Sequence, residues 1–551
     1  MKAVFISIII IFCISLLNPI HILPWSSFFS ESIFFIGFLL LILCAPLNIL
    51  VKNTLPILFI SFIPVIQFFF GKVYYFSIAF LGFIYIFCFW LSVVVGVNFT
   101  QKNNHHYSVH KVNIIDFISY FYIFICLVSS IIAIIQWLNI PYSTQYISGM
   151  VGNRPFANLA QANHLATLLC LGVLGCFFLY ETKKINKYFL ALYAIIFLFA
   201  IALTQSRTPW IFSVIFLLTI FFKQRHYMFR LSFSAILGWV SVYVMLIFSI
   251  PYIAELLSPY FSIVRTMDVL ERATSGYLRL EIWNQAIHAI IEKPWFGYGW
   301  NQTSAAQYSV IDRYPGKEWF SSAHNIVLDI LLWNGVVLGG VIVLYFAIIY
   351  VLCFIKNKSI ETIFASLMVL PVLIHSFLEY PFKYAYFLIP VGILWGVMIS
   401  ENNVKVMKIK SIYFKVASVF GFLLLGYIFK EFNESIDNNV AANTYEMNER
   451  TDHFELAYPV YILDEFEYRS QWFALYPYAK LSEEEIDKYR KMVSLHLTPY
   501  DLLKLAKLLS FNDHKEEAIR QLEIIEILYD KKYNYNDIVI DEESKNENNN
   551  K

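Results

Sequence analysis

Charge is scarce in this chain. Only 15% of its 551 residues are Asp, Glu, Lys or Arg, and they balance to a formal net charge of +1. That balance gives no basic footprint for a nucleic-acid partner, and none is expected. Cysteine is absent from every loop and from the tail: Cys13, Cys44, Cys88, Cys126, Cys170, Cys176 and Cys353 all fall in apolar runs. A disulfide framework and a thiolate metal site are thereby excluded, and the thiols read as packing residues. There is also no glycine-rich phosphate loop, no HExxH pair and no nucleophile elbow. The usual signatures of nucleotide binding, zinc proteolysis and serine hydrolysis are therefore missing.

What fills the chain is hydrocarbon. Hydrophobic residues make up 58% of it, gathered into about thirteen runs near 3–18, 32–46, 54–70, 75–97, 114–138, 161–180, 188–204, 209–222, 231–250, 326–355, 361–379, 386–400 and 412–430. Runs of this length read as membrane helices, so the expected fold is an all-α polytopic membrane protein. The first run is followed by Asn18-Pro19 without a small-x-small cleavage site, and reads as a retained helix rather than a signal peptide.

Basic residues mark one set of alternate loops: Lys52; Lys102 and Lys111; Lys183, Lys184 and Lys187; Lys223, Arg225 and Arg230; Lys356 and Lys358; Lys405, Lys408 and Lys410. The short loops of the other set hold little beyond Lys72, Arg154, Arg207 and Lys383. The positive-inside rule puts the first set in the cytoplasm and turns 139–160, 205–208, 251–325 and 380–385 outward, with the tail from Glu431. Residues 1–430 then form a membrane domain that includes the outer loop 251–325. The tail, 431–541, reads as a separate soluble helical domain, and 542–551 as disordered. In it, Ser482-Glu483-Glu484-Glu485 is a capping box opening a helix to about Leu495, and Thr498-Pro499 opens another. Asn512-Asp513 turns the chain into a third helix, and the last pair resembles one tetratricopeptide unit.

The outward segments hold the candidate chemistry. His324 and Asn325, in Ser321-Ser322-Ala323-His324-Asn325, stand where an apolar run begins. An imidazole there can take up or release a proton and serve both a lipid-borne and a water-borne reactant, while the competing reading is a helix cap. Arg207 sits in a very short turn between two apolar runs. An arginine at that depth is costly unless it is paired or functional, and its fork suits phosphate. Arg279 opens an amphipathic stretch as a second anion ligand, or else pairs with Glu281 or Glu271. Arg154, Gln161 and His164 lie in a polar loop leading into the sixth run, where amides and an imidazole can bind sugar hydroxyls or phosphate oxygens, or simply cap the helix. Glu379 and Tyr380 close the eleventh run at the same level. Asp312, Asp329 and Glu379 are isolated in sequence, so neither a metal nor a cofactor is expected.

Five stretches, RPFANLAQANHLATLL (154–169), TQSRTPW (204–210), RLEIWNQA with EKPWFGYGW (279–300), SSAHNIVLDILLWNG (321–335) and HSFLEYPFKYAYFLIPVG (375–392), resemble the bacterial PglL-type protein O-oligosaccharyltransferases, in the superfamily of O-antigen ligases and polymerases. The resemblance implies a GT-C-type helical fold in the inner membrane, with the active site facing the periplasm. It also implies transfer of a glycan from undecaprenyl diphosphate to an exported acceptor protein such as pilin. On that pattern His324 is the essential histidine, Arg207 and Arg279 bind the pyrophosphate, and Gln161 and Tyr380 line the site. The residues suit a metal-independent displacement with inversion and His324 as general base. Competing readings keep the donor and change the acceptor, to lipid A core or a growing glycan. A lipid-linked glycan transporter would instead scatter polar residues through mid-span positions.

Overall fold

The computed structural model describes residues 2–100, 113–150, 152–225, 227–264, 277–401, 405–448, 450, 452 and 454–539. Lys102, Lys111, Glu271 and the segment 542–551 lie outside the described residues. The helices run in chain order as α1 (Lys2–Leu17), α2 (Phe28–Cys44), α3 (Leu55–Ser61), α4 (Ile63–Phe69), α5 (Phe76–Thr100), α6 (Ile114–Trp137), α7 (Ala162–Glu181), α8 (Lys187–Thr204), α9 (Thr208–Lys223) and α10 (Phe233–Leu257). They continue as α11 (Tyr277–Glu292), α12 (Thr303–Val310), α13 (Ile326–Lys356), α14 (Ile360–Ser376), α15 (Ala385–Ser400), α16 (Ser411–Met447), α17 (Asp464–Ala474), α18 (Glu483–Leu495), α19 (Pro499–Phe511) and α20 (Lys515–Tyr529). Among the described residues, eight helical stretches are long and apolar enough to cross a membrane, and five shorter apolar ones lie in α1, α2, α9, α14 and α15. Together they fall on the thirteen expected runs. The protein is an all-α polytopic membrane protein.

Contacts divide the chain into two units, one of Met1–Leu58, Tyr85–Thr274 and Phe346–Leu423, the other of Phe59–Ile84, Ser275–Tyr345 and Leu424–Lys551. In the first unit the loops join by sets, as alternating helices require. Among the basic loops, β1 (Ile49–Val51) pairs antiparallel with β2 (Val406–Lys408), Ile49 opposite Lys408. Lys223 donates to the Asn357 carbonyl at 3.0 Å, and the Arg230 N–H donates to Glu181 at 2.7 Å. Among the other set, Asn158 donates to the Leu17 carbonyl at 2.6 Å and Arg154 to that of Thr204 at 2.7 Å. Glu31, buried within α2, accepts from the Tyr85 hydroxyl at 2.9 Å and from the Ala385 N–H at 2.8 Å. One oxygen of a carboxylate in an apolar helix thus caps the start of α15, while the other, Oε1, has no hydrogen-bond partner among the described residues.

The second unit is built around the tail. The capping box at Ser482 and Glu485 opens α18, Thr498 caps α19, and Asp513 (φ 68°) turns the chain toward α20, as the sequence patterns predict. Leu502, Leu505, Leu508 and Leu509 of α19 and Leu522 and Ile525 of α20 share one core with Trp472. Burial of each such leucine contributes about 1.5–3 kcal/mol relative to exposure. That core is not the tail's alone, however. Val73, Tyr75, Ala305 and Ile311 belong to it, Ser304 donates to the Ser494 carbonyl at 3.0 Å, and Arg520 reaches Asp312 and the Tyr308 carbonyl at 2.8 and 2.7 Å. Where the sequence suggests an independent tail domain from 431, contacts group the tail with the long loop. α16 also runs on past 430 to Met447, because Glu431 is buried and accepts from the N–H groups of Tyr461, Ile462 and Leu463 instead of facing water. Asp464 likewise accepts from the N–H groups of Phe76 and Ser77 at the start of α5. Burial raises its carboxyl above the usual range, and the two N–H donors pull it partly back.

The aromatic turn after α11 is shaped by backbone approach. Tyr298 N–H donates to the Leu332 carbonyl at 2.8 Å, Gly299 N–H to that of Trp333 at 3.1 Å, and Val336 N–H to that of Pro294 at 2.7 Å. A Cβ at Gly297 (φ 63°) would stand 2.3 Å from the Leu332 oxygen, and one at Gly335 (φ 75°) 2.4 Å from Trp295 backbone atoms. Both positions therefore require glycine. Gly297→Ala is expected to cost at least about 1–3 kcal/mol of stability, from the left-handed backbone alone. A lowered thermal midpoint in detergent measures it.

Candidate active site

The turn joining α8 to α9 sets the first group of residues. Gln205 ends α8 in the left-handed region (φ 49°), and Arg207 is the N-cap of α9, ahead of Pro209. Arg207 is half-buried there, and the hydroxyl of the buried Ser206 beside it has no hydrogen-bond partner. Beneath this turn runs a chain of polar contacts. The Arg154 guanidinium donates through Nε to the Thr204 carbonyl at 2.7 Å and through Nη2 to Asn163 Oδ1 at 2.8 Å; Asn163 in turn donates to Glu379 at 3.3 Å. Three of the outward loops named by the sequence are thus tied to one another, and Arg154 is held as a brace. Tyr380 follows Glu379, half-buried, with the Lys383 ammonium 5.7 Å from its ring centre.

Gln161 is the N-cap of α7, yet its side chain makes no capping bond. Gln161 and Arg154 instead line a cavity of about 710 Å³ within the first unit. His164, one turn on, is fully buried and does not line it: Nδ1 lies 3.0 Å from the Tyr386 hydroxyl, and its ring packs on His375. Sequence reading overlooked Gln136, which shapes the loop around this cavity. Its amide accepts from the N–H groups of Phe156 and Ala157 and donates to the Ser148 and Ala157 carbonyls, all within 3.1 Å. A lone amide ending an apolar run was the available signal.

The second group lies in the second unit. Asn325 caps α13, its Oδ1 accepting from Val327 N–H at 3.0 Å, so the capping reading of that residue holds. The long membrane helix does not begin there, because Gly335 interrupts α13 with non-helical geometry where the 294–299 turn docks. His324 precedes a short helix rather than a membrane span. Its backbone is left-handed (φ 52°), a rare state for a side-chain-bearing residue, and its N–H donates to Ser322 Oγ at 3.2 Å. Asp329 holds that conformation. Its fully buried carboxylate accepts from Ser322 Oγ at 2.5 Å, Ala323 N–H at 2.9 Å and Thr303 Oγ1 at 2.8 Å. Far from isolated, Asp329 is the anchor of the His324 loop. Trp333 Nε1 donates to the same Thr303 hydroxyl at 2.8 Å.

Arg279, half-buried, sits on the first turn of α11. Trp283, four residues on and therefore on the same helical face, donates from Nε1 to the Ala323 carbonyl at 3.1 Å. The face of α11 that carries Arg279 is thereby fastened next to His324. Among nearby groups outside the spans, burial pushes the Tyr298 phenol up to about 12 and lowers the Lys293 ammonium.

Residues 192–344 match the family model for O-antigen ligase, and residues 363–538 the model described as virulence factor membrane-bound polymerase, C-terminal. A general O-oligosaccharyltransferase of Acinetobacter baylyi is 37% identical over 535 residues, which is 95% of this chain and 92% of the relative. The chain belongs to the PglL-type O-oligosaccharyltransferases. A second relative, a ComP-specific O-oligosaccharyltransferase of the same organism, is 33% identical over 69% of this chain and 68% of its own length. For this O-oligosaccharyltransferase the tail is no appendage: the second matched model continues through α17, α18, α19 and α20.

Proposed function

We propose that the protein transfers a preassembled oligosaccharide en bloc from undecaprenyl diphosphate to a Ser or Thr hydroxyl of an exported protein, pilin or another. The reaction occurs at the periplasmic face of the inner membrane. The observation that carries this reading is the 37% identity to a general O-oligosaccharyltransferase along 95% of the chain. Residues 251–325 and 431–541 face the periplasm in this reading, in line with the shortage of basic residues in the short outward loops.

The acceptor hydroxyl attacks the anomeric carbon, the bond from that carbon to the phosphate oxygen breaks, and the lipid diphosphate leaves. His324 takes the hydroxyl proton as the new bond forms. Arg207 and Arg279 bind the diphosphate and stabilise the charge that grows on it. Gln161 and Tyr380 orient sugar or diphosphate oxygens, while Asn325, Glu379, Arg154 and His164 support them. The displacement is single and inverting, and no metal takes part in this reading.

Asp329 acts through His324. Asp329→Ala removes the acceptor of three hydrogen bonds and is expected to lower kcat about 10²-fold with little change in donor KM. Asp329→Asn keeps one oxygen and should recover most of the rate. Equal rates for all three proteins would detach Asp329 from the site. The functional reading itself is tested by mass spectrometry of exported proteins and lipopolysaccharide from a deletion strain. Loss of glycan from proteins alone supports it; loss from lipopolysaccharide alone assigns the chain to ligase chemistry, which the matched O-antigen ligase model also describes.

A further inference from the structure

In the second unit, α11 carries two apolar faces where a helix resting on protein needs one. Ile282, Ala286, Ala289 and Ile290 turn inward and are buried. Leu280, Ile287 and Ile291 lie at i, i+7 and i+11 on a second stripe that is left open, Ile291 being 64% exposed. The stripe runs on into the turn after the helix, where Trp295 and Phe296 are 67% and 72% exposed. That turn is bonded to the break in α13, through Val336 N–H and the Pro294 carbonyl. Beyond the break, Val337, Val341 and Leu344 expose a further apolar line, on a helix long and apolar enough to cross a membrane. α4 ends beside the same turn. Gln67 accepts from Trp300 N–H at 2.8 Å and donates to the Trp333 carbonyl at 3.0 Å, and Phe69 and Phe70 just after it are exposed.

Two ammonium groups stand at this edge. The Lys72 carbonyl accepts from Gln302 Nε2 at 2.7 Å and lies against Gly299, while Lys293 Nζ is 4.4 Å from the ring centre of Tyr298. Both lysines are exposed, and neither forms an ion pair with a described residue; Glu292, the acid beside Lys293, is taken by Arg313 at 2.5 Å. Burial and then the Lys72 charge lower the Lys293 ammonium, with Glu292 pulling partly back. A continuous apolar band with aromatic rings and lysines at its rim is the composition of a helix lying in a bilayer surface, and two neighbouring cations suit anionic headgroups. We propose that α11 and the 293–296 turn lie in the headgroup layer of the bilayer, the open stripe toward the acyl chains, and that Lys72 and Lys293 bind the phosphate of an anionic phospholipid. So placed, α11 holds Arg279, one residue before Leu280, at the depth of lipid phosphates. Nothing in this placement depends on the transfer reaction.

Photocrosslinking to lipid tests it. The photoreactive residue p-benzoylphenylalanine replaces Ile291 or Phe296 in turn, and the exposed Glu523 of α20 as the control. Each full-length protein is reconstituted in nanodiscs of phosphatidylcholine and phosphatidylglycerol, with folding checked by thermal unfolding; either probe position serves if the other variant does not fold. After irradiation, intact mass is expected to show lipid adducts at 291 and 296 and none at 523. Among those adducts phosphatidylglycerol should exceed its share of the bilayer about fivefold, the worth of one cation at an anionic surface. Lys72→Gln combined with Lys293→Gln should return that ratio to the composition of the bilayer and leave the total yield unchanged. Adducts at 291 and 296 no more frequent than at 523, or crosslinks to a second copy of the chain in their place, would overturn the interfacial placement. A lipid ratio that the double variant leaves unchanged would overturn the phosphate site.

Discussion

His324→Ala is expected to lower glycan transfer about 10²–10⁴-fold, the usual worth of a positioned general base, while the protein still inserts and folds. The protein surroundings of His324 argue that the imidazole is placed rather than incidental. A left-handed backbone, a buried carboxylate one turn into the next helix, and a tryptophan from α11 all converge on three consecutive residues, 322–324. A merely capping loop needs only Asn325. Initial rates with saturating donor and acceptor are the measurement, with membrane insertion checked by thermal unfolding. Full activity in that variant would remove the base assignment and leave Asp329 as a structural anchor only.

Arg207→Ala is expected to cost about 10²–10³-fold in kcat/KM for the lipid-linked donor, the scale found when one donor to a developing charge is lost. Arg207→Lys separates charge from shape. Lysine keeps the cation and loses the planar fork, so activity between the wild type and the alanine variant indicates bidentate phosphate binding. Undiminished activity in the lysine variant would argue against the fork. The turn suits the role because Gln205 reverses the chain in the left-handed region and Arg207 opens α9, whose first N–H groups also favour an anion.

Much of this was legible in sequence because membranes and helix caps impose local rules. Hydrocarbon thickness sets the length of each apolar run, and the alternation of lysine-rich loops is repeated at every turn. The tail helices announced themselves by Ser482, Thr498 and Asp513, residues whose side chains or backbone settle a helix end within a few positions. Long-range polar pairing was not legible. Asp329 looked isolated because its partners Ser322 and Thr303 are brought to it by the fold, and Gln136 looked like one polar residue at a helix end. The break at Gly335 was hidden for the same reason: its cause is backbone from 294–297, outside any local window. The tail's shared core with Val73 and Ala305 also depends on contacts hundreds of residues apart.

The most direct test is reconstitution: purified protein, undecaprenyl-diphosphate-linked oligosaccharide and a candidate exported acceptor, read by intact mass and site mapping. The account predicts one mass increment equal to the whole glycan, on a Ser or Thr, made by the wild type and lost with His324→Ala. Stepwise single-sugar additions, or transfer that survives the loss of His324, would contradict it.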